Sequence, residues 1–386
     1  MKLLSTVQNR WKVIMNFIQE KASIRTIYTR VKIESVGCSL RPHLAMTDFP
    51  ALGGLINMGQ TCYANSVIQC FRHCDKFPWM FEEGRYSTLF QKSPSEERAK
   101  QQELTSAFAN AIQLLQKCKR GQSVRPADFW AKFRPVTANT GFSHLAQRIA
   151  HDSHEFYLCL LDTIHEALAQ DVNMKINRVP TTEEDKHCIQ ALETWKQEFS
   201  KKYSPLVDLF YGLNHVVVEC KGCGNKTHRW ETFTSLKGVV GSQPATLMEM
   251  LQEELKPETI PEYHCEKCPT RQDAVKSVYI WRLPLYMTVV LKRFSPDGRK
   301  LQAPVKLEGD VSFESLFSTE SPERTGQMSY RLQSIVDHHG SASGGHYTAQ
   351  CRSADGAWRV YDDESVHDIA GPMLGSSTYM IWFQRV

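Results

Sequence analysis

Four cysteines in two pairs, Cys220-Lys-Gly-Cys223 and Cys265-Glu-Lys-Cys268, constrain this chain more than any other feature. Each Cys-x-x-Cys turn lets two thiolates reach one tetrahedral Zn²⁺, and two such turns complete a closed structural site with no position open for chemistry. Forty-one residues lie between them, more than a compact zinc ribbon holds, so a β-hairpin excursion has to bring the turns together. His228 and His264 are spare ligands in the same region, but four sulfurs already suffice. The alternative is a degenerate finger with reduced, metal-free thiols.

Twelve cysteines in 386 residues are too dilute for a disulfide scaffold, which points to a reducing, intracellular setting, cytoplasm or nucleus. The chain has no run of about 18 apolar residues, so no membrane-spanning helix is expected. Met1 to Glu20 lacks a compact apolar stretch followed by a small-residue cleavage site, so a secretory signal is not expected either.

Charge is nearly balanced, with 46 Lys+Arg against 42 Asp+Glu and a net +4. That surplus sits in residues 1–34, where Lys2, Arg10, Lys12, Lys21, Arg25, Arg30 and Lys32 face only Glu20 and Glu34. The body of the chain is close to neutral, and in residues 211–284 basic and acidic groups cancel, which argues against a nucleic-acid partner. Leu3, Leu4, Val7, Trp11, Ile14, Met15 and Ile18 recur at spacings of three and four and predict a basic amphipathic helix. Residues 3–21 thus suit an organelle presequence, a membrane-surface or partner-docking helix, or a helix packed on its own domain. Residues 35–50, with Gly37, Pro42 and Pro50, read as a linker.

Helical periodicity dominates from about Ala64 to Leu168, as in Leu104, Phe108, Ile112 and Leu115, and again in Phe156, Leu160, Leu161 and Ile164. From about Leu206 the pattern changes to short β-rich runs: 215–219, 278–282, 286–291, 330–336, 346–352, 358–362 and 379–383. Helices first and strands afterwards predict an α+β fold rather than a wound parallel sheet.

Two further segments carry reactive groups. In Gly54-Leu-Ile-Asn-Met-Gly-Gln-Thr-Cys-Tyr-Ala-Asn65, Val67, Ile68 and Phe71 place a helix start near Cys62. A cysteine there feels the positive end of the helix dipole and unpaired N–H groups, which favour a nucleophilic thiolate. Asn57 is placed to donate to a developing oxyanion. Nearly 300 residues later, His338-His-Gly-Ser-Ala-Ser-Gly-Gly-His-Tyr347 and Trp358-Arg-Val-Tyr-Asp-Asp363 put His346 at the opening of one strand and Asp362 at the end of the next. A short connection of this kind sets a carboxylate beside an imidazole, fixing its tautomer. A buried structural cysteine and a packed histidine are the plain alternatives for each segment alone.

Together these segments closely resemble the cysteine and histidine boxes of the ubiquitin-specific proteases. His151-Asp-Ser-His-Glu-Phe156 with Leu160-Leu-Asp162, Leu291-Lys-Arg-Phe294 and Tyr379-Met-Ile-Trp-Phe383 resemble the family's intermediate motifs, in family order, over about residues 52–386. The resemblance implies a papain-like cysteine protease fold with a helical thumb, a β-sheet palm and zinc-ribbon-like fingers. It implies a catalytic domain over 51–386, with the thumb at 51–170, the fingers at 205–285 and the palm from 171–204 and 286–386. It implies Cys62 as nucleophile, His346 as general base, Asp362 as the residue orienting it, Asn57 as oxyanion donor and Asp363 as a supporting polar group. Asp152 and Glu155 match acidic positions facing the basic tail of ubiquitin, and Gln60 stands where the family commonly has Asn. The implied activity is that of a monomeric deubiquitinase acting on ubiquitinated proteins, with structural Zn²⁺ held by Cys220, Cys223, Cys265 and Cys268. The loop 340–345 and the turn Ser295-Pro-Asp-Gly298 are expected to gate the cleft. A catalytically silent ubiquitin-binding scaffold on the same fold is the alternative from another class. Against it stands the presence of Cys62, His346, Asp362 and Asn57 together.

Overall fold

A computed structural model describes residues 51–386 except 178, 308 and 327. The helix expected over 3–21 and the linker over 35–50 lie outside the described residues. The α+β reading holds: helices occupy the first half and an antiparallel-rich sheet the second.

Five helices matter for the site: α1 (Cys62–Arg72), α2 (Glu96–Lys117), α3 (Ala127–Thr137), α4 (Ser153–Leu168) and α5 (Glu183–Phe199). Caps explain several starts. The Ser95 side chain accepts from Arg98 N, so the polar stretch 92–103, which shows no apolar period, still contributes the first turns of α2. Asp152 accepts from the N–H groups of His154 and Glu155 and starts α4 in the same way. Helix α5, which the hydrophobic pattern did not announce, is capped by Thr182 and carries three acids in its first turn, where the dipole favours them.

The strands are β1 (Gly212–Cys220), β2 (Lys226–Phe233), β3 (Leu236–Val239), β4 (Glu258–Tyr263), β5 (Gln272–Arg282), β6 (Tyr286–Lys292), β7 (Ser329–Ser341), β8 (Gly344–Arg352), β9 (Trp358–Asp362), β10 (Ser365–Ile369) and β11 (Thr378–Arg385). The fingers are a four-stranded antiparallel sheet in the order β2-β1-β5-β4. The palm sheet runs β10-β9-β8-β7-β11-β6-β3, with the short strand Val311–Ser312 added beside β7. Only the β3–β6 pairing in this sheet is parallel.

Alternation along β6 shows why the palm strands read as continuous apolar runs. Tyr286 and Val290 enter a core shared with the helices, while Met287, Val289 and Leu291 enter a second core on the opposite face. The same alternation separates Met380 and Trp382 from Ile381 and Phe383 on β11. Both faces are covered, so both sets are apolar. Helix α1 is buried along all eleven residues, between the other helices and the palm sheet. This wedge holds the nucleophile box against the strand that carries His346.

Candidate active site

The loop before α1 is shaped by the Asn57 side chain. Its Oδ1 accepts from the N–H groups of Gly59 (3.0 Å) and Thr61 (3.1 Å), an Asx-type turn. Gly59 and Gln60 both take positive φ, +93° and +56°. Asparagine enters that region with less strain than glutamine, and here Gln60 is tied down because its Oε1 accepts from Ala150 N at 2.7 Å. The chain then turns into α1 with Cys62 as its first residue, 5% exposed. Burial pushes the Cys62 thiol above its ordinary pKa; the backbone N–H of Tyr347 opposes this, and the Asp363 carboxylate adds to it.

The other half of the site comes from the palm. The backbone of Gly345 passes so close to His339 O and the His338 ring that a Cβ there would overlap both, which makes glycine necessary just before His346. His346 Nε2 lies 2.6 Å from Asp362 Oδ1, leaving Nδ1 as the ring nitrogen free to serve a thiol. The two side chains are 43% and 49% exposed, so this pair faces solvent while Cys62 is nearly covered. No hydrogen bond joins Cys62 and His346. Most of segment 340–345, expected as a mobile loop, belongs to a tight hairpin in which Ser341 pairs with Gly344 and Gly340 with Gly345. Only residues 342 and 343 connect the strands.

Asp363 links the halves. Strands β9 and β10 pair Asp362 with Ser365, so Asp363 and Glu364 form a two-residue turn. Asp363 has φ +50°, a value favoured two-residue hairpin turns require at their first position and satisfy with asparagine, aspartate or glycine. Both oxygens of its carboxylate are used: Oδ2 accepts from Asn57 Nδ2 at 2.8 Å and Oδ1 from Asn65 Nδ2 at 2.7 Å. Its carbonyl also accepts from Leu55 N at 2.8 Å. Gly54 lies against the Glu364 backbone, where a Cβ would collide. His346, Asp362 and Asp363 each present one atom within 4.8 Å of the others. Asn65, given no role from sequence, is a positioning residue here; its spacing three residues after Cys62, one helical turn, was the available signal.

Asp152 and Glu155 lie half-buried at the start of α4. Asp152 caps that helix and its Oδ2 accepts from the Tyr379 hydroxyl at 2.6 Å, while Glu155 Oε2 is 2.8 Å from His144 Nε2.

The four finger cysteines converge. Cys220 Sγ is 3.7 Å from Cys268 Sγ, and Cys223 Sγ is 3.6 Å from Cys265 Sγ. Tetrahedral zinc with bonds of about 2.3 Å needs sulfur separations of roughly 3.8 Å, so the group is able to hold a metal ion. N–H groups of Cys223 and Gly222 lower the pKa of Cys220, while hydrogen bonding to the neighbouring thiols raises that of Cys268. His228, noted as a spare ligand, belongs to a different cluster with His187 and Glu320.

Against known proteins, the sequence pattern of the family described as ubiquitin carboxyl-terminal hydrolase matches residues 53–383. The chain is 29% identical over 347 residues to ubiquitin carboxyl-terminal hydrolase Usp2 of Drosophila melanogaster, covering 86% of this chain and 35% of that protein. It is 28% identical over 367 residues to ubiquitin carboxyl-terminal hydrolase 21 of Homo sapiens, covering 86% and 61%. It therefore spans between about a third and three fifths of the length of these relatives. Among solved structures it is similar to a chain of the SAGA Ubp8/Sgf11/Sus1/Sgf73 DUB module bound to ubiquitin aldehyde, with a TM-score of 0.66 and 23% identity over 89% of this chain and 71% of that one.

Proposed function

Since the chain belongs to the ubiquitin carboxyl-terminal hydrolase family, we propose that it is a cysteine-type deubiquitinase that cleaves the isopeptide bond after the C-terminal glycine of ubiquitin. The observation that carries the reading is the 2.6 Å His346–Asp362 pair beside a helix whose first residue is Cys62. In this reading His346 Nδ1 takes the Cys62 proton and the thiolate attacks the glycine carbonyl, forming a C–S bond. One Asn57 Nδ2–H and the backbone N–H groups at the start of α1 hold the oxyanion, while Asp363 keeps Asn57 in place. The C–N bond breaks as His346 returns its proton to the leaving lysine amine. Water, deprotonated by His346, then hydrolyses the thioester.

Asp152 and Glu155 would meet the basic tail of ubiquitin from the start of α4. Cys220, Cys223, Cys265 and Cys268 would hold a structural Zn²⁺, whose contribution is to tie the fingers' ends together.

One observation favours the scaffold reading: Cys62 and His346 are not hydrogen-bonded and burial favours the neutral thiol. The two readings part on reaction with ubiquitin bearing a C-terminal electrophile, followed by intact mass. A single adduct that vanishes in Cys62→Ala and weakens in His346→Ala is the expected result. No adduct, with ubiquitin still bound, would replace the enzyme by a scaffold.

A further inference from the structure

Toward the palm end of the fingers sheet, three segments remote in sequence meet. His187 comes from the first turns of α5, His228 from β2, and Glu320 from the loop between the short turns Glu314–Leu316 and Pro322–Thr325. One ligand atom from each lies within 4.8 Å of the other two. His187 Nδ1 is 2.5 Å from Glu320 Oε2, and the His187 and His228 rings stack with centroids 4.0 Å apart. His228 Nδ1 is 2.9 Å from His215 Nε2, and His215 Nδ1 is 2.9 Å from Ser318 Oγ. His228 pairs with Val217, three residues before Cys220 on β1, so this cluster sits roughly 10 Å from the cysteine group along the strand.

The geometry points to a second metal site, separate from the four cysteines, in which His187, His228 and Glu320 bind a divalent transition-metal ion, with Zn²⁺ the best match to two imidazoles and a carboxylate. Such a donor set suits zinc, with water completing a tetrahedron. The surroundings are those of a supported ligand. If His228 Nδ1–H donates to His215 Nε2, and His215 Nδ1–H donates to Ser318 Oγ, His228 keeps the lone pair on Nε2 for the ion. His215 cannot turn away: it is 1% exposed, stacked on Trp230 with centroids at 4.9 Å and edge-on to Trp281 at 5.1 Å.

The plain reading is a His187–Glu320 ion pair with the His228 ring stacked on it. A divalent ion would instead take one donor atom from each of the three side chains, which already converge. Bound there, it would clamp α5 and the 318–320 loop to the fingers sheet, a loop already held by Ser318 N donating to Ile280 O and Ser321 Oγ donating to Trp281 O.

The test is zinc titration of the full chain, with metal content measured after gel filtration. The wild type is expected to retain two equivalents and each of His228→Gln and Glu320→Gln only one, with the second equivalent quenching or shifting tryptophan emission through Trp230. In Co²⁺-substituted protein the second equivalent should add visible bands without additional thiolate charge-transfer absorption. Far-UV circular dichroism of both variants separates lost ligation from lost fold, and two variants on different elements protect against one that fails to fold. A wild type that holds only one equivalent at saturating Zn²⁺, or folded variants that still hold two, would overturn the site.

Discussion

Asp363 and Asn65 are joined by a 2.7 Å hydrogen bond between the turn that follows the histidine strands and the second turn of the nucleophile helix. The same carboxylate holds Asn57 at 2.8 Å, so one side chain sets the distance between the two halves of the site.

Asp363 stands at φ +50°, where glycine is at ease. Replacing it with glycine relaxes the turn but frees both asparagines. Asp363→Gly is expected to lower stability by about 1–3 kcal/mol, because two hydrogen bonds to a charged group are lost against about 1 kcal/mol of relieved turn strain, while cleavage of a fluorogenic ubiquitin C-terminal substrate falls roughly 10²-fold. Full turnover in folded protein would remove Asp363 from the site's machinery. Asn65→Ala is expected to lower turnover in the same direction.

Asp362 orients His346 through an accepting oxygen 2.6 Å from Nε2. An amide oxygen accepts the same bond, so Asp362→Asn should retain turnover within about 10-fold, while Asp362→Ala should lose roughly 10²-fold or more. The comparison of kcat for the two variants measures how much of the effect is orientation. Equal losses would place the requirement on the charge instead.

Removal of one cysteine from the fingers leaves three ligands and an open tip. Cys223→Ser, whose parent is exposed, is expected to lose the zinc proposed for the cysteine group and to lower Tm by roughly 5 °C or more. Hydrogen exchange should rise in β1, β2, β4 and β5 and not in α4. Unchanged exchange in those strands would show that the four thiols close the sheet without metal.

His165 is 2% exposed at the end of α4, its Nδ1 2.7 Å from Ser204 Oγ. Burial depresses its pKa to about 4 from the ordinary value near 6.5. The unfolded chain therefore takes up a proton between those values before the folded one does, and stability falls as pH drops from about 6.5 toward 4. The expected loss from this residue is about 2 kcal/mol by pH 5. Urea unfolding at pH 7 and pH 5 should show a smaller difference in His165→Gln than in the wild type.

Much of the architecture was legible because it depends on local pattern. The 3.6-residue spacing in Leu104, Phe108, Ile112 and Leu115, the β-rich run 286–291 and the paired Cys-x-x-Cys turns each state their own element. Helix α5 escaped because its start is announced by a Thr182 cap and acids rather than by a wide apolar face. The segment 340–345 was half legible because glycine signals mobility and close backbone approach with the same letter, and the close approach is borne out by Gly345 against His339 and His338.

By itself the sequence determined which groups could react or ligate: Cys62 at a helix start, His346 and Asp362 on consecutive strands, four cysteines on two turns. Only the tertiary structure decided what they touch. That Asp363 holds Asn57 and Asn65 rather than His346, and that His228 leaves the cysteines to face His187 and Glu320, follow from strand register and helix packing. Side-chain partners more than a hundred residues apart depend on how whole elements pack, and that is a property of the folded core, not of local spacing.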